Sequence, residues 1–163
     1  MERPKILIVD DDPDLRRAMK IRLRANHYDT VHASDGCSAI AMAEKWRPSL
    51  IILDLGLPSG DGFAVLKHLR ETDALSSIPV IVLTARAPQF NESRALQAGA
   101  TAFFQKPADN QQLIDEIRKA VPNNITGKDI LVRAQEDSRA ELETQNELTA
   151  GLAEEPELAG TIS

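Results

Sequence analysis

Carboxylate side chains gather at two points of the sequence, each directly after a short apolar run. Asp10 and Asp11 follow the run at residues 6–9, and Asp54 follows the run at residues 50–53. Carboxylates packed together repel one another, which raises some of their pKa values unless a cation is bound among them. Mg²⁺ is the cation expected here, because it commonly binds one or two carboxylates together with phosphate oxygens. An Asp carboxylate can also attack phosphorus and form an aspartyl phosphate.

Two more polar residues follow apolar runs and suit the same chemistry. Thr84 comes directly after residues 80–83, and Lys106 comes soon after residues 102–104. A lysine ammonium can neutralise the charge on a phosphoryl group during its transfer. A threonine hydroxyl can donate to a phosphate oxygen, and that contact exists only after phosphorylation. The combination predicts a switch rather than a simple binding site.

The apolar runs and the segments between them predict the elements that position these residues. Four runs are short and continuous, which is typical of parallel strands buried on both faces, whereas residues 29–33 alternate with polar residues and predict an edge strand. Helices are predicted between the runs, at residues 15–25, 39–46, 63–69, 95–98 and 113–121. This alternation predicts an α/β fold with a doubly wound five-stranded parallel sheet and five helices. Its ligand site should lie beyond the carboxyl ends of the strands.

Four short segments together resemble the response-regulator receiver family of two-component signalling. They are Val-Asp-Asp-Asp at residues 9–12, Leu-Asp-Leu-Gly-Leu-Pro-Ser-Gly-Asp-Gly at residues 53–62, Leu-Thr-Ala at residues 83–85 and Phe-Phe-Gln-Lys-Pro at residues 103–107. Each segment is weak by itself, but all of them fall at strand ends and in the right order. The resemblance covers residues 4–121 and implies a flavodoxin-like sheet with strand order 2-1-3-4-5.

The resemblance also implies a role for each residue of the site. By this resemblance, Asp54 is the phosphoacceptor, and Thr84 and Lys106 take part in the phosphoryl chemistry. Mg²⁺ would be bound by Asp10, Asp11, Asp54 and the backbone carbonyl of Gly56. Phe103 would change rotamer as Thr84 moves and so carry the switch to a protein-binding face. A histidine kinase or a histidine phosphotransfer protein would supply the phosphoryl group. The output would go to a downstream protein or to a phosphorylation-dependent homodimer.

Other interpretations of the same residues stay open at this point. Residues 10–12 could simply cap the following helix, and Phe103 could be an ordinary core residue. The domain could also be an interaction module that works without phosphorylation, although none of the expected site residues is missing. A phosphohydrolase would need a second acid where Gly56 stands, two residues after Asp54, so we predict a switch and not an enzyme. Arg86 is predicted to face the mouth of the site and to tune the phosphoryl lifetime.

The charge distribution separates residues 1–122 from the rest of the chain. Residues 1–122 hold 16 basic and 16 acidic residues, whereas residues 123–163 hold 3 basic and 9 acidic residues and account for the net charge of −6. Nothing here forms a basic surface for nucleic acid. We predict a receiver domain at residues 1–122 and an acidic tail at residues 123–163, helical over residues 128–148 and disordered over residues 150–163. The tail is too small for a DNA-binding output domain, which indicates a stand-alone receiver.

The cysteine content and the apolar segments near the start bear on the cellular compartment of the protein. The chain has one cysteine, Cys37, so it forms no internal disulfide and suits a reducing compartment. No stretch near the start is long enough for a secretory signal or a membrane span, so a cytoplasmic protein without membrane contact is predicted. His27, His32 and His68 have no ligand-like spacing and are predicted to lie on the surface.

Overall fold

The computed structural model describes residues 2–58 and 61–122, together with residues 135, 138, 139, 141 and 142. The chain divides into two units, Met1–Asn123 and Asn124–Ser163. The five described residues of the second unit are all helical. The rest of the predicted tail helix and the predicted disordered end lie outside the described residues, so the acidic tail remains a prediction.

Five strands form one parallel sheet in the order β2-β1-β3-β4-β5, which is the flavodoxin-like order. They are β1 (Lys5–Val9), β2 (Asp29–Ala33), β3 (Leu50–Leu53), β4 (Val80–Thr84) and β5 (Ala102–Gln105). The three central strands consist mostly of Ile, Leu and Val, which suit strands buried on both faces. The edge strands β2 and β5 are only partly buried. The predicted strands, their order and the edge position of β2 are confirmed.

One helix follows each strand and packs on the sheet. The helices are α1 (Pro13–Ala25), α2 (Gly36–Trp46), α3 (Gly62–Glu71), α4 (Pro88–Gln97) and α5 (Asn110–Ala120). Four of them begin after an Asp whose side chain accepts hydrogen bonds from first-turn N–H groups, which stabilises a helix start. α4 has no side-chain cap and buries only Ala95, so its sequence has little apolar periodicity. The helix predicted there, at residues 95–98, was therefore too short. Within the described part of the chain, no helix is long and apolar enough to cross a membrane.

Two apolar layers cover the two faces of the sheet. α1 and α5 cover one face, where Met19, Leu23 and Ile117 are buried. α2, α3 and α4 cover the other face, where Ala43 and Leu66 are buried. Because helices cover both faces, the strand ends are the places where backbone and polar side chains can meet a ligand.

The histidine prediction is wrong for two of the three residues. His68 is exposed, but His27 and His32 are half-buried. The reason for His32 is the alternation of side chains along the edge strand β2. Its neighbours Val31 and Ala33 pack on the side of α2, so His32 points to the opposite face, where α1 covers it.

Candidate functional site

The carboxyl ends of neighbouring strands carry the polar residues that the sequence predicted for the site. The register pairs Val9 of β1 with Leu53 of β3, so the residues that follow them lie side by side. These are Asp10 and Asp54, and the backbone N–H of Asp54 donates to the Val9 carbonyl at 2.9 Å. Asp10 is 2% exposed, Asp54 6% and Thr84 0%. The convergence of these residues at one edge of the sheet is therefore a feature of the fold.

Three carboxylates meet at this edge. One oxygen from each of Asp10, Asp11 and Asp54 lies within 4.8 Å of the others; the first and third residues are buried, and Asp11 is exposed. Burial raises the pKa of Asp10, although hydrogen bonds from Lys106 and from the N–H of Asp12 oppose the change. Oxygen donors that are partly open to solvent fit Mg²⁺, which keeps several of its waters. The residues present therefore fit the predicted metal.

Lys106 reaches the same carboxylates from the end of β5. Its Nζ donates to Asp10 Oδ2 at 2.6 Å and to Asp54 Oδ2 at 3.0 Å. Burial disfavours the charged ammonium, but the hydrogen bonds to the two carboxylates raise the pKa of Lys106 overall. Its backbone N–H donates to the Thr84 carbonyl at 2.8 Å, and the peptide bond to Pro107 is cis. The site thus contains a charged lysine in contact with two carboxylates.

The remaining predicted residues lie on adjoining strands and loops. The hydroxyl oxygen of Thr84, at the end of β4, accepts a hydrogen bond from the backbone N–H of Arg86 at 3.3 Å. The N–H of Gly56 donates to Asp54 Oδ1 at 3.0 Å. Phe103 is half-buried on β5 and packs against the core layer that includes α2, α3 and α4. The metal role of the Gly56 carbonyl and the switch role of Phe103 remain predictions.

The capping interpretation holds for one residue of the acidic triplet. Asp12 is the cap of α1, and its side chain accepts hydrogen bonds from the N–H groups of Asp14 and Leu15. Pro13 at the first helical position is the sequence signal for this start. The other two carboxylates of the triplet are the ones that meet in the pocket.

Two residues that support the acidic pocket were given no role by the sequence analysis. Arg16 Nη1 donates to the carbonyl oxygen of Asp10 at 2.6 Å and so fixes the backbone that carries this carboxylate. Gly62, the first residue of α3, packs so closely that a Cβ would lie 2.5 Å from the carbonyl oxygen of Asp54. Gly62 belongs to the family segment at residues 53–62, but neither residue was given a role, because both contacts form only in the folded chain.

A third residue with no assigned role is Asp61, the cap of α3. Its Oδ1 accepts a hydrogen bond from the N–H of Phe63 and, at 3.2 Å, one from Arg86 Nη1. Arg86 therefore contacts the loop that follows Asp54, which is compatible with its predicted position at the mouth. Its predicted effect on phosphoryl lifetime is untested by this contact.

A groove of about 440 Å³ lies beside the site, between α1 and α5. Its apolar lining includes Leu15, Met19, Leu83 and Leu113. Lys106, which contacts Asp10 and Asp54, also lines it, so the groove adjoins the acidic pocket. The groove thus presents an apolar surface next to Lys106.

The fold and the site together define the class: a flavodoxin-like α/β protein with an acidic, lysine-containing pocket at the carboxyl edge of its sheet. The chain belongs to the response regulator receiver domain family, whose model matches residues 6–118. The predicted family is therefore confirmed. Membership is consistent with two-component signalling and does not favour an interaction module that works without phosphorylation.

Two curated relatives illustrate the match. The chain is 37% identical to the DNA-binding dual master transcriptional regulator RpaA of Synechocystis sp., over 71% of this chain and 48% of that protein. It is 36% identical to the transcriptional regulatory protein KdpE of Mycobacterium tuberculosis, over 77% of this chain and 54% of that protein. The chain thus spans about half the length of the curated relatives it matches.

Solved structures of receiver proteins also match this chain. The chemotaxis response regulator CheY4 of Vibrio cholerae superposes with a TM-score of 0.67 at 28% identity, covering 73% of this chain and 99% of that one. The receiver domain of the sensor histidine kinase PA1611 of Pseudomonas aeruginosa PAO1 superposes with a TM-score of 0.67 at 29% identity, covering 74% and 98%. That receiver domain has a magnesium ion coordinated in its active site cleft.

Proposed function

We propose that this receiver domain accepts a phosphoryl group on Asp54 and acts as a phosphorylation-dependent switch in the cytoplasm, not as an enzyme acting on other substrates. The observation that carries the proposal is the contact of Lys106 Nζ with Asp54 Oδ2 at 3.0 Å and with Asp10 Oδ2 at 2.6 Å. A cation held there is preorganised for the charge that develops beside Asp54 during transfer.

In the proposed reaction, a carboxylate oxygen of Asp54 attacks the phosphorus of a phosphohistidine. The new bond joins this oxygen to phosphorus, the phosphorus–nitrogen bond breaks, and the imidazole leaves with the bonding electron pair. Lys106 stabilises the negative charge on the phosphoryl oxygens. The Thr84 oxygen accepts from Arg86, so its own proton stays available to a phosphoryl oxygen. Forming that bond would draw the loop after β4 towards Asp54.

Mg²⁺ belongs to the same proposal, and its ligands would be Asp10, Asp11, Asp54 and the carbonyl of Gly56. When bound, it neutralises charge on the phosphoryl oxygens. Asp10 is oriented for this role, because its Oδ1 accepts from the N–H of Asp12 at 2.9 Å and its Oδ2 accepts from Lys106. The magnesium ion in the related receiver domain of P. aeruginosa supports the assignment.

The phosphoryl donor in this proposal is a histidine kinase or a histidine phosphotransfer protein, and the output passes to a downstream protein. The donor must bring its phosphohistidine to Asp54, and the groove between α1 and α5 opens beside Lys106. Ala18 is an exposed residue of that groove, so Ala18→Arg should block docking and leave the fold intact. We expect transfer from a donor protein to slow by about tenfold, with phosphorylation by acetyl phosphate unchanged because acetyl phosphate needs no docking.

Intact mass after incubation with acetyl phosphate and Mg²⁺ tests the phosphoacceptor. We expect the wild type to gain about 80 Da, the mass of one phosphoryl group. The gain should disappear in Asp54→Ala and with EDTA. Asp73→Ala, which removes an exposed carboxylate elsewhere, is the matched control and should keep the adduct. If the wild type gains no mass from acetyl phosphate or from several phosphorylated histidine kinases, the proposal is wrong.

A further inference from the structure

The basic residues of the receiver domain are concentrated on α1. This helix has five basic residues and one acidic residue, which leaves 11 of 16 basic and 15 of 16 acidic residues for the rest of residues 1–122. Arg22 lines the groove between α1 and α5, whereas Arg16, Arg17 and Lys20 do not. In the described part of the chain, neither Arg17 nor Lys20 forms an ion pair with a carboxylate. Their charges are therefore available to a partner.

A small pocket opens between α1 and the loop that joins β2 to α2, with a volume of about 180 Å³. It is lined by Arg16, His32, Ala33, Ser34 and Ser38. Arg16 donates through Nη1 to the carbonyl oxygen of Asp10, which leaves most of the five N–H groups of its guanidinium for other acceptors. The two serine hydroxyls can donate as well. The pocket therefore offers a positive charge and several donors to a carboxylate.

The charges around this pocket favour an anion. Burial lowers the pKa of His32, and the charges of Lys20 and Arg16 lower it further, so both cations act on this part of the surface. The described lining contains no carboxylate. Asp35 is the acidic residue nearest in sequence, and its side chain accepts a hydrogen bond from the N–H of Ser38 at 2.8 Å, where it caps α2. The described structure thus gives Arg16 no carboxylate in this pocket.

An apolar side chain lies among these cations. Ile21 is 63% exposed and lies beside Lys20 on α1. It shares a helix face with Arg17, because residues four apart are neighbours on a helix surface. An exposed isoleucine is ordinary by itself, but this one is flanked by cations that have no ion-pair partner in the described structure. An acidic segment that also carries apolar side chains would complement both features.

We propose that the basic flank of α1, formed by Arg16, Arg17, Lys20 and Ile21 with the adjoining pocket, binds an acidic, partly apolar segment of a protein other than the phosphoryl donor. One carboxylate of that segment enters the pocket and pairs with Arg16, and an apolar side chain packs on Ile21. The flank faces away from the groove assigned to the donor, so both partners can bind together. A nucleic acid would extend onto the remaining surface, where acidic residues are in excess, so a protein segment is favoured.

Binding of a labelled acidic peptide to the full chain, followed by fluorescence anisotropy, tests the proposal. The peptide carries glutamates and regularly spaced leucines over about 12 residues, roughly three helical turns. We expect saturable binding. Replacing the glutamates with glutamine, or the leucines with serine, should weaken it at least about fivefold, because the flank supplies both cations and an apolar contact.

Charge reversal separates this flank from the net charge of the helix. Lys20→Glu should weaken peptide binding about tenfold, because it replaces an attraction with a repulsion. Arg22→Glu is the matched control, since it makes the same charge change on the same helix but faces the groove beside α5. It should weaken binding less than about threefold at physiological salt, which screens distant charges. Equal losses in the two variants would overturn the proposal.

Ser38→Glu tests the pocket with little risk to the fold. Ser38 is the third residue of α2 after its cap, Asp35, and glutamate is favoured at this helix position. The new carboxylate would fill the pocket, face Arg16 and exclude the carboxylate of the peptide, so binding should weaken about tenfold. Ser38→Gln has the same size without the charge and should weaken binding less than about threefold.

The inference does not depend on phosphorylation. Asp54→Ala should bind the peptide as the wild type does, so a failure of the phosphoacceptor proposal would leave this one standing. A wild-type Kd above about 1 mM, or equal binding by Ser38→Glu and the wild type, would overturn it. Tighter binding of a single-stranded DNA of about 12 nucleotides than of the peptide would also overturn it, and would assign the flank to nucleic acid.

Discussion

The two ends of the sheet differ in the polarity of their buried side chains. At the carboxyl end lie Asp10, Asp54 and Thr84, which are the buried polar side chains of the described part of the chain. The amino end of β4 is apolar, with Leu75 completely buried in the loop before it. Arg70 closes that end by donating to the carbonyls of Gly99, Ser76 and Ile78 at 3.1, 2.7 and 2.8 Å. Apolar packing and carbonyl contacts of Arg70 lie at one end, and the groups that can react lie at the other.

The largest expected effect tests the stabilising end. Leu75→Ala leaves a cavity in the core, so we expect the free energy of unfolding to fall by about 2–5 kcal/mol in urea titration. The rate of phosphorylation by acetyl phosphate, measured well below the unfolding transition, should not change. A slower rate in the folded variant would show that packing around Leu75 also affects the reactive end.

Lys106→Met tests the reactive end. The variant keeps the apolar stem but loses the cation beside Asp54, so phosphorylation by acetyl phosphate should slow by about a hundredfold. The rate of mass gain at saturating Mg²⁺ measures this. Asp10 and Asp54 lose a shared partner, so stability should also fall. A rate within threefold of the wild type would show that Lys106 is only a structural partner of the two carboxylates.

Mg²⁺ binding at the reactive end should have a smaller effect than either substitution. Mg²⁺ at about five times its Kd should stabilise the wild type by about 1 kcal/mol, because it binds only the folded site. The gain should be smaller in Asp11→Asn at the same concentration. Asp14→Asn, an exposed carboxylate in the first turn of α1, is the control and should respond like the wild type. Equal responses in all three proteins would exclude Asp11 as a ligand.

His32 should give the smallest effect. Burial lowers its pKa from 6.5, and Lys20 and Arg16 lower it further. Below pH 6.5 the unfolded chain therefore binds more protons at this position, so the stability from neutral His32 is lost as pH falls. The free energy of unfolding of the wild type relative to His32→Gln should fall from pH 8 to pH 5. A constant difference would contradict this. Phosphorylation should be unaffected.

Periodicity predicted the strands well because their runs are apolar for a physical reason, burial on both faces. The strand-end rule then placed Asp10, Asp54, Thr84 and Lys106 at one edge before any contact was known. The order of the strands came only from the family resemblance, because several orders are compatible with the same alternation. The full length of α4 was not predicted, because that helix buries only Ala95 and so has little apolar periodicity.

Polar contacts between separate segments of the chain could not be predicted from the sequence either. Arg70, Arg16 and Asp61 look like ordinary exposed or capping residues in the sequence. Their partners are carbonyl oxygens or side chains that only folding brings near, and charge alone does not select among many candidates. Tyr28 is a further case, since its buried hydroxyl donates to the carbonyl of Val121 at 2.9 Å, 93 residues away.

Gly62 has a consequence for any mutational scan of this protein. A Cβ at this position would lie 2.5 Å from both the Asp54 carbonyl oxygen and the Leu55 Cα, and backbone atoms cannot rotate away as a side chain can. Every substitution there should displace α3 and with it the acceptor. In a scan, position 62 would score like a catalytic residue although it has no reactive group. Sensitivity to substitution alone therefore overstates how many residues take part in the chemistry.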